Sequence, residues 1–362
     1  MKHRVIGQGT YGCLHKESLV CQDFDSQNKN MVSKVMLKKD AYKEMNNNLL
    51  IHFIDEKEEF HLGNPKTCTI QKSRSNRKAI KQCKPSKHID RKNIGENMLI
   101  LMKDGGITLD QFASKVKRLH TNKNNIQKIE RFWIEVHRLF RGLVHFNKYD
   151  FIHHDMKPQN ILYNEKTNRV NFIDFGASST FTRIKQLSRN SENRGGSEWW
   201  SYPPEYKYVN KNTYISSINK MDKNQYKNIL RSVLKREKDD IAYHLRGFLP
   251  YISAWKHQYL TDLEWLYTNG LDDYDTLIHH SIYTFDIYGV GFSLLQILNS
   301  SYHLMNKTLW DDLSNLLYLT ITPNYIQRIQ ANELLNKYEK ILEENNLLKK
   351  YKLIIKDHEI LF

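Results

Sequence analysis

The sequence predicts an α+β protein built as two lobes, a small β-rich N-terminal lobe and a larger, mainly α-helical C-terminal lobe that carries a helical insertion. Three observations lead there. Short extended runs and turns dominate the chain up to about residue 103, apolar residues recur at helical spacing from Ile129 to Val144, and the pair Gly105-Gly106 separates the two regimes. A chain of 362 residues, 40% apolar and 12% aromatic, can bury two cores and is too apolar for wholesale disorder.

In the expected N-terminal lobe, residues 1–103, strand-like residues flank a glycine cluster between Val5 and Leu14. A second extended run, Met31 to Leu37, places Val32, Lys34 and Met36 on one face. A helical pattern follows from Lys39 to about Phe60, a basic, turn-rich insertion occupies about 62–95, and 97–102 reads as a buried strand. The C-terminal lobe, 104–340, opens with a long amphipathic helix carrying Ile129, Phe132, Trp133, Val136, Leu139, Phe140, Leu143 and Val144. Residues 160–163 and 170–173 form a predicted hairpin around the polar turn 164–169, so Asp155 and Asp174 border it on loops. A helical insertion is expected at about 206–282, with Ile229, Leu230, Val233 and Leu234 on one face and Trp255, Leu263 and Leu266 in a second segment. Leu334, Leu335, Tyr338, Ile341 and Leu342 predict a packed helix leading into a C-terminal tail, 341–362.

The net charge of +15 favours phosphate-rich or acidic partners. Much of it lies in one run, Lys66, Lys72, Arg74, Arg77, Lys78, Lys81, Lys84, Lys87, Arg91 and Lys92 against the single acid Asp90, which reads first as a solvated loop and second as a docking segment for nucleic acid or acidic protein. Cys13, Cys21, Cys68 and Cys83 are few and widely spaced, without a Cys-x-x-Cys pair, and point to a reducing intracellular setting. The first residues lack an apolar signal core, and the run 287–298 is shorter than the ~20 residues of a membrane helix, so a soluble protein without an anchor is expected.

Gly7-Gln8-Gly9-Thr10-Tyr11-Gly12 spells G-x-G-x-x-G, which lets backbone amides approach phosphate oxygens without a β-carbon in the way. A dinucleotide fold would open a helix directly from this loop; a strand candidate bearing Leu14 follows instead, which favours a glycine hairpin folded over a nucleotide. Lys34 points inward from its strand and needs an anionic partner, which Glu44 can supply; such a pair aims an ammonium at nucleotide phosphates. Lys38 is the rival lysine, nearer the strand end. Further on, His153-His154-Asp155-Met156-Lys157-Pro158-Gln159-Asn160 has the spacing D-x-K-x-x-N. Asp155 can orient or accept the proton of an attacking hydroxyl, Lys157 can neutralise charge on a transferring phosphoryl group, and Asn160 can ligate a metal through its amide oxygen. Asp174, in Asp174-Phe175-Gly176, offers a hard carboxylate for Mg2+.

These motifs in this order resemble the eukaryotic-type protein kinases, over residues 1 to about 340. Lys157 resembles the Ser/Thr rather than the Tyr branch. Pro203-Pro204-Glu205 resembles the motif that closes the activation segment, Asp286 within 286–291 resembles the aspartate that braces the catalytic loop, and Arg328 resembles the arginine that pairs with the motif glutamate. The resemblance implies a bilobal kinase fold, Mg-dependent transfer from ATP (Mn2+ as the alternative metal) to Ser or Thr of protein substrates, and nucleotide contacts from Gly7, Gly9, Gly12, Leu14, Lys34, Leu101 and Lys103. In finer detail the chain is most similar to the divergent protein kinases of large DNA viruses, implying a product of the infected cytoplasm, packaged in some cases in virions.

Two departures bear on control. His154 stands where an arginine usually receives an activation-loop phosphate, so an active loop is expected to rely on packing or on a partner. The interval between Glu205 and Asp286 is long, and its insertion either braces the lower lobe or docks substrate. Trp199 and Trp200 could shape the substrate surface or serve as buried anchors. The competing functions are a silent kinase-fold scaffold and a small-molecule kinase of the aminoglycoside type; Lys157, Glu205 and Asp286 favour protein substrates.

Overall fold

A computed structural model describes residues 3–9, 12–23, 30–192, 201–218 and 249–361. The chain forms two compact units: Met1–Gly106 together with Asn171–Ala177, and Ile107–Val170 together with Ser178–Phe362. The first therefore ends at the Gly105-Gly106 pair and takes back a short segment from far along the chain, which no periodicity announces.

In the first unit, β1 (Arg4–Gln8), β2 (Cys13–Lys16) and β3 (Met31–Leu37) are followed by α1 (Lys38–Ile54), β4 (Lys66–Thr69), α2 (Arg74–Lys81) and β5 (Asn97–Lys103). The strands make one antiparallel sheet in the order β1-β2-β3-β5-β4. Alternation along β3 and β5 divides the apolar residues between two faces. Val35, Leu99 and Leu101 join Cys13, Leu19, Ala79 and Ile80 in one cluster, while Met36, Met98 and Ile100 join Ala41 in the other. The helix α1 stops short of its expected end because the Asp55 carboxylate captures the backbone N–H groups of Glu59 and Phe60, at 2.9 and 2.8 Å, and turns the chain. Phe172 N–H then donates to Phe60 O, at 2.9 Å, which holds the returning segment within this unit.

The basic insertion is not the solvated loop its composition suggests. Strand β4 extends the sheet along β5, and Ser73 caps α2 by accepting from the Asn76 N–H. Ala79 and Ile80 are buried, while Arg74, Arg77, Lys78 and Lys81 stay exposed, so α2 is an amphipathic helix whose charged face dominated the composition. Nor are the four cysteines unpaired: Cys13 bonds Cys83 and Cys21 bonds Cys68. Both bonds tie the insertion to the segment around β2.

The second unit runs through β6 (Ile107–Thr108), α3 (Leu109–Val116), α4 (Lys123–Lys148), β7 (Phe151–Ile152) and β8 (Ile161–Asn164) to β9 (Arg169–Phe172), where the chain passes into the first unit. It resumes with β10 (Ser179–Thr180), α5 (Phe181–Arg189), α6 (Lys211–Ile218), α7 (Leu249–Thr268), α8 (Tyr274–Ser301), α9 (Lys307–Ile321), α10 (Ala331–Glu344) and α11 (Leu347–Tyr351), and ends in the hairpin of β11 (Ile354–Lys356) and β12 (Glu359–Leu361). Helix α4 buries Ile129, Phe132, Trp133, Val136, Leu139, Phe140 and Leu143, as its spacing predicts. Helix α8 is long and apolar enough to cross a membrane, yet 89% of its most apolar window is buried inside the protein. The expected tail is a folded part of this unit: Lys350 and Tyr351 bind Glu130 and Arg141 binds Glu359, all against α4.

The second insertion is helical where it is described. Leu263 and Leu266 of α7 are fully buried with Tyr208, Tyr214, Tyr267 and Leu277, and Asp262 accepts from the hydroxyls of Tyr318 and Thr322, each at 2.6 Å. This segment braces the unit's core. Ile229, Leu230, Val233, Leu234, Trp199 and Trp200 lie outside the described residues, as does the side chain of Trp255.

Candidate active site

The candidate residues form one cluster in each unit. In the first, the register runs Gly7 to Leu14, Leu14 to Lys34 and Lys34 to Ile100, which lines Gly7, Leu14 and Lys34 on one face. A β-carbon on Gly12 would stand 2.8 Å from Cγ and 2.9 Å from Cε of Lys34, so only glycine leaves room for the lysine stem to pass. Gly9 N–H donates to Gly12 O, at 3.0 Å, closing the hairpin backbone, while Thr10 and Tyr11 lie outside the described residues.

Lys34, not Lys38, meets Glu44. Its Nζ donates to Oε2 at 2.6 Å and Oε1 at 2.8 Å, and both side chains are only 13% exposed, whereas Lys38 begins α1 on the surface. Burial pushes the Glu44 carboxyl above the ordinary carboxylate range; Lys34 offsets that only in part, and the charge of Asp174 adds to the rise. Asp174 itself is exposed, has a left-handed backbone (φ 64°), and its carboxylate takes no hydrogen bond from the described residues. Behind it Phe175 is buried and meets the edge of the His61 ring, which anchors the strained turn. Burial opposes ionisation of Asp55, but the bonds from His61, Phe60 and Glu59 prevail and hold its carboxyl below the usual range, so this anchor is itself electrostatically fixed.

The side chains of Leu101 and Lys103 alternate to the other face of the sheet from Lys34. Alternation along β5 turns the Leu101 side chain into the apolar cluster with Cys13 and Val35, where it is 2% exposed and offers a ligand no surface. The Lys103 ammonium is paired at the surface with Glu58.

In the second unit Asp155 is held from both sides. Its Oδ2 accepts from Lys157 Nζ at 2.6 Å and from Asn160 Nδ2 at 2.9 Å, and Asn160 Nδ2 also donates to the Asp155 carbonyl at 2.8 Å. The other carboxylate oxygen, Oδ1, takes no bond from the described residues, and the same holds for the Asn160 amide oxygen. Asp155 therefore keeps one carboxylate oxygen, and Asn160 its amide oxygen, unbonded by the described residues.

The loop carrying these residues is braced by α8. The Asp286 carboxylate accepts the N–H groups of His153 at 2.6 Å and His154 at 2.9 Å, which supports a left-handed His154 (φ 66°). Burial raises the Asp286 carboxyl despite those donors. Three residues on, a β-carbon at Gly289 would lie 2.4 Å from Met156 O, so the helix and the loop touch backbone to backbone. The His153 ring, fully buried, receives the Asp155 N–H on Nδ1 at 3.3 Å.

His154 is committed to packing. Its Nε2 meets the Tyr206 hydroxyl at 2.7 Å, its ring packs edge-on against Tyr206 and tilted against Phe285, and the Tyr202 hydroxyl donates to its carbonyl at 3.3 Å. Next to Tyr206, Glu205 receives the Arg328 fork at 2.6 and 3.0 Å, with both side chains fully buried, and Arg328 further donates to Thr322 O and Thr284 Oγ1. The roles of His153, Tyr202 and Tyr206 went unrecognised in the sequence, although the aromatic flanks of Pro203-Pro204-Glu205 were a visible signal. The helix α5 was missed too; it is fixed by Phe181 and Ile184 packing in the cluster that holds Ile278, Ile282 and Phe285.

The chain belongs to the protein kinase domain family, whose model matches residues 1–221. It is thus an α+β kinase with a β-sheet N-terminal region and a helix-rich remainder, a phosphotransferase acting with ATP and a divalent metal on protein substrates. Asp286 and Arg328 lie beyond the matched span, and their assignment rests on the bonds just described.

Proposed function

We propose that the chain is a Ser/Thr protein kinase using Mg2+, with Asp155 taking up the proton of the attacking hydroxyl. The observation that carries this reading is the asymmetry of Asp155, with Oδ2 tied to Lys157 and Asn160 and Oδ1 bonded by none of the described residues. Lys34, held by Glu44, binds the nucleotide phosphates, and Lys157 stabilises charge on the transferring phosphoryl group. The exposed Asp174 carboxylate in the first unit and the Asn160 amide oxygen in the second, neither bonded by the described residues, are each a hard oxygen donor of the kind a magnesium ion takes. The metal supplies charge neutralisation on the phosphates when bound.

Asp155→Asn should abolish transfer of labelled γ-phosphate while leaving the circular dichroism spectrum and nucleotide binding intact; undiminished transfer by that variant refutes the assignment. Phosphoamino-acid analysis of labelled substrate should return serine or threonine, and predominant phosphotyrosine overturns the specificity. Exposed Arg74, Arg77, Lys78 and Lys81 support acidic or nucleic-acid-associated substrates, so KM should rise with salt for an acidic substrate more than for a neutral one.

The packed His154 supports a kinase that needs no activation-loop phosphate. Transfer by phosphatase-treated protein should match that of untreated protein. The placement among kinases of large DNA viruses belongs to the same proposal, and mass spectrometry of fractionated infected cells and virions should find the chain in the cytoplasm or the particle.

A further inference from the structure

We propose that Cys13–Cys83 is a redox-sensitive modification site that latches the glycine hairpin, an inference that rests on reading that hairpin as the phosphate-binding element. Cys13 on β2 and Gln8 on β1 are register partners at the turn end of the hairpin. A single turn of the basic insertion grips both. Cys83 bonds Cys13, and at the next residue Lys84 exchanges two backbone bonds with the Gln8 side chain, Gln8 Nε2 to Lys84 O at 2.8 Å and Lys84 N–H to Gln8 Oε1 at 2.6 Å.

The side-chain alternation puts this grip on the face opposite Gly7, Leu14 and Lys34, so the latch restrains the hairpin backbone without touching the phosphate face. The two disulfides are not equivalent. Around Cys21–Cys68 the backbone is also tied, by Gln22 N–H to Thr69 O at 2.9 Å and by the bridge between Cys21 and Ile70. Around Cys13–Cys83 the ties between β2 and the insertion are made by side chains alone, the two exposed Gln8 bonds and the buried His15 Nε2 with Ala79 O at 3.3 Å. Opening Cys13–Cys83 therefore leaves β2 in the sheet beside β3 but its turn end held to the insertion by side-chain bonds alone, whereas opening the other bond leaves backbone ties in place.

Cys83 is buried at the end of α2, but its neighbours Gln82 and Lys84 are exposed, so a local opening of this turn admits an attacking thiolate. The reductant is a dithiol. Its first sulfur attacks Cys83, breaks the S–S bond and expels the Cys13 sulfur, which takes up a proton; its second sulfur then resolves the mixed disulfide, so two electrons pass to the protein and the dithiol leaves as a disulfide. His15 is fully buried, and its Nε2–H, 3.3 Å from Ala79 O, also lies 3.8 Å from Cys83 Sγ, where it can donate to the sulfur that results. Disulfides that form in a reducing compartment are characteristically transient and sensing, which is the behaviour this site would have there.

The same three side chains could instead hold a soft metal ion when reduced. The experiment separates the two. Oxidised and dithiol-reduced full-length chain, Cys83→Ser and Cys68→Ser are compared by Mg-ATP titration, by hydrogen exchange of residues 5–9 and 12–16, and by zinc analysis with and without a chelator. Reduction and Cys83→Ser should each speed exchange in the hairpin and weaken ATP binding at least ~5-fold, the low end of ordinary site-to-site coupling, while Cys68→Ser should do neither. Unchanged exchange on reduction overturns the latch, as does stoichiometric zinc in the reduced chain whose removal by chelator, rather than the reduction itself, alters ATP affinity. If no state binds ATP but hairpin exchange still follows Cys13–Cys83, the latch stands and the nucleotide reading fails.

Discussion

Glu44 is where residue-level electrostatics bear most directly on activity. An ion pair that is mostly shielded from water stabilises Lys34 in one direction only while Glu44 remains charged, and burial raises the pH at which that charge is lost. Lowering the pH therefore neutralises Glu44 sooner than an ordinary glutamate, whose pKa is near ~4.3. ATP affinity should weaken on the acid side with a midpoint above that value, and Glu44→Gln should bind weakly at neutral pH and lose this dependence; a titration of Kd against pH checks both. At Gly12 the constraint is steric. Gly12→Ala must displace the Lys34 stem or the backbone beside it, so ATP binding by the alanine variant should fall by about tenfold or more, measured by calorimetry against wild type.

At the scale of elements, the decisive contact is between α8 and the loop carrying Asp155. Asp286 and Gly289 act one helical turn apart, the first by hydrogen bonds and the second by having no side chain. Gly289→Ala should push Met156 and its neighbour Asp155 out of place and lower kcat by about 100-fold with little change in ATP affinity, since misplacement of this order is felt in the chemical step. The Glu205–Arg328 pair joins the Pro204–Tyr208 turn to the segment after α9 with both side chains fully buried. Arg328→Met alone would leave a buried carboxylate uncompensated and should cost about 3–5 kcal/mol in urea denaturation, while replacing both residues by apolar ones should recover much of it.

For the whole molecule, stability is unevenly provided. The first unit is small and closes two loops covalently, with sequence separations of 70 and 47 residues. Chain-entropy bookkeeping allows each bond up to ~4 kcal/mol, with measured effects often smaller. Reduction should therefore lower protection of β3 and β5 in hydrogen exchange while α4 and α8, which belong to the other unit and carry no cysteine, keep theirs. The second unit relies on apolar burial instead, with α8 nearly enclosed and α7 adding Leu263 and Leu266 to the core.

What the sequence determined was whatever local spacing or residue chemistry dictates. The period of α4, the alternation in β3 and the donor sets of Asp155, Asn160 and Asp174 follow from neighbouring residues and covalent geometry. Glu44 could be paired with Lys34 because a strand leading directly into a helix leaves few partners in reach. Tertiary structure alone decided the rest. It turned Leu101 into a core, folded a basic loop into β4 and α2, joined cysteines far apart in sequence, returned 171–177 to the first unit and gave His154 to Tyr206 and Phe285. Each of these depends on which distant surface a side chain meets, and burial against a distant partner leaves no period in the chain to read.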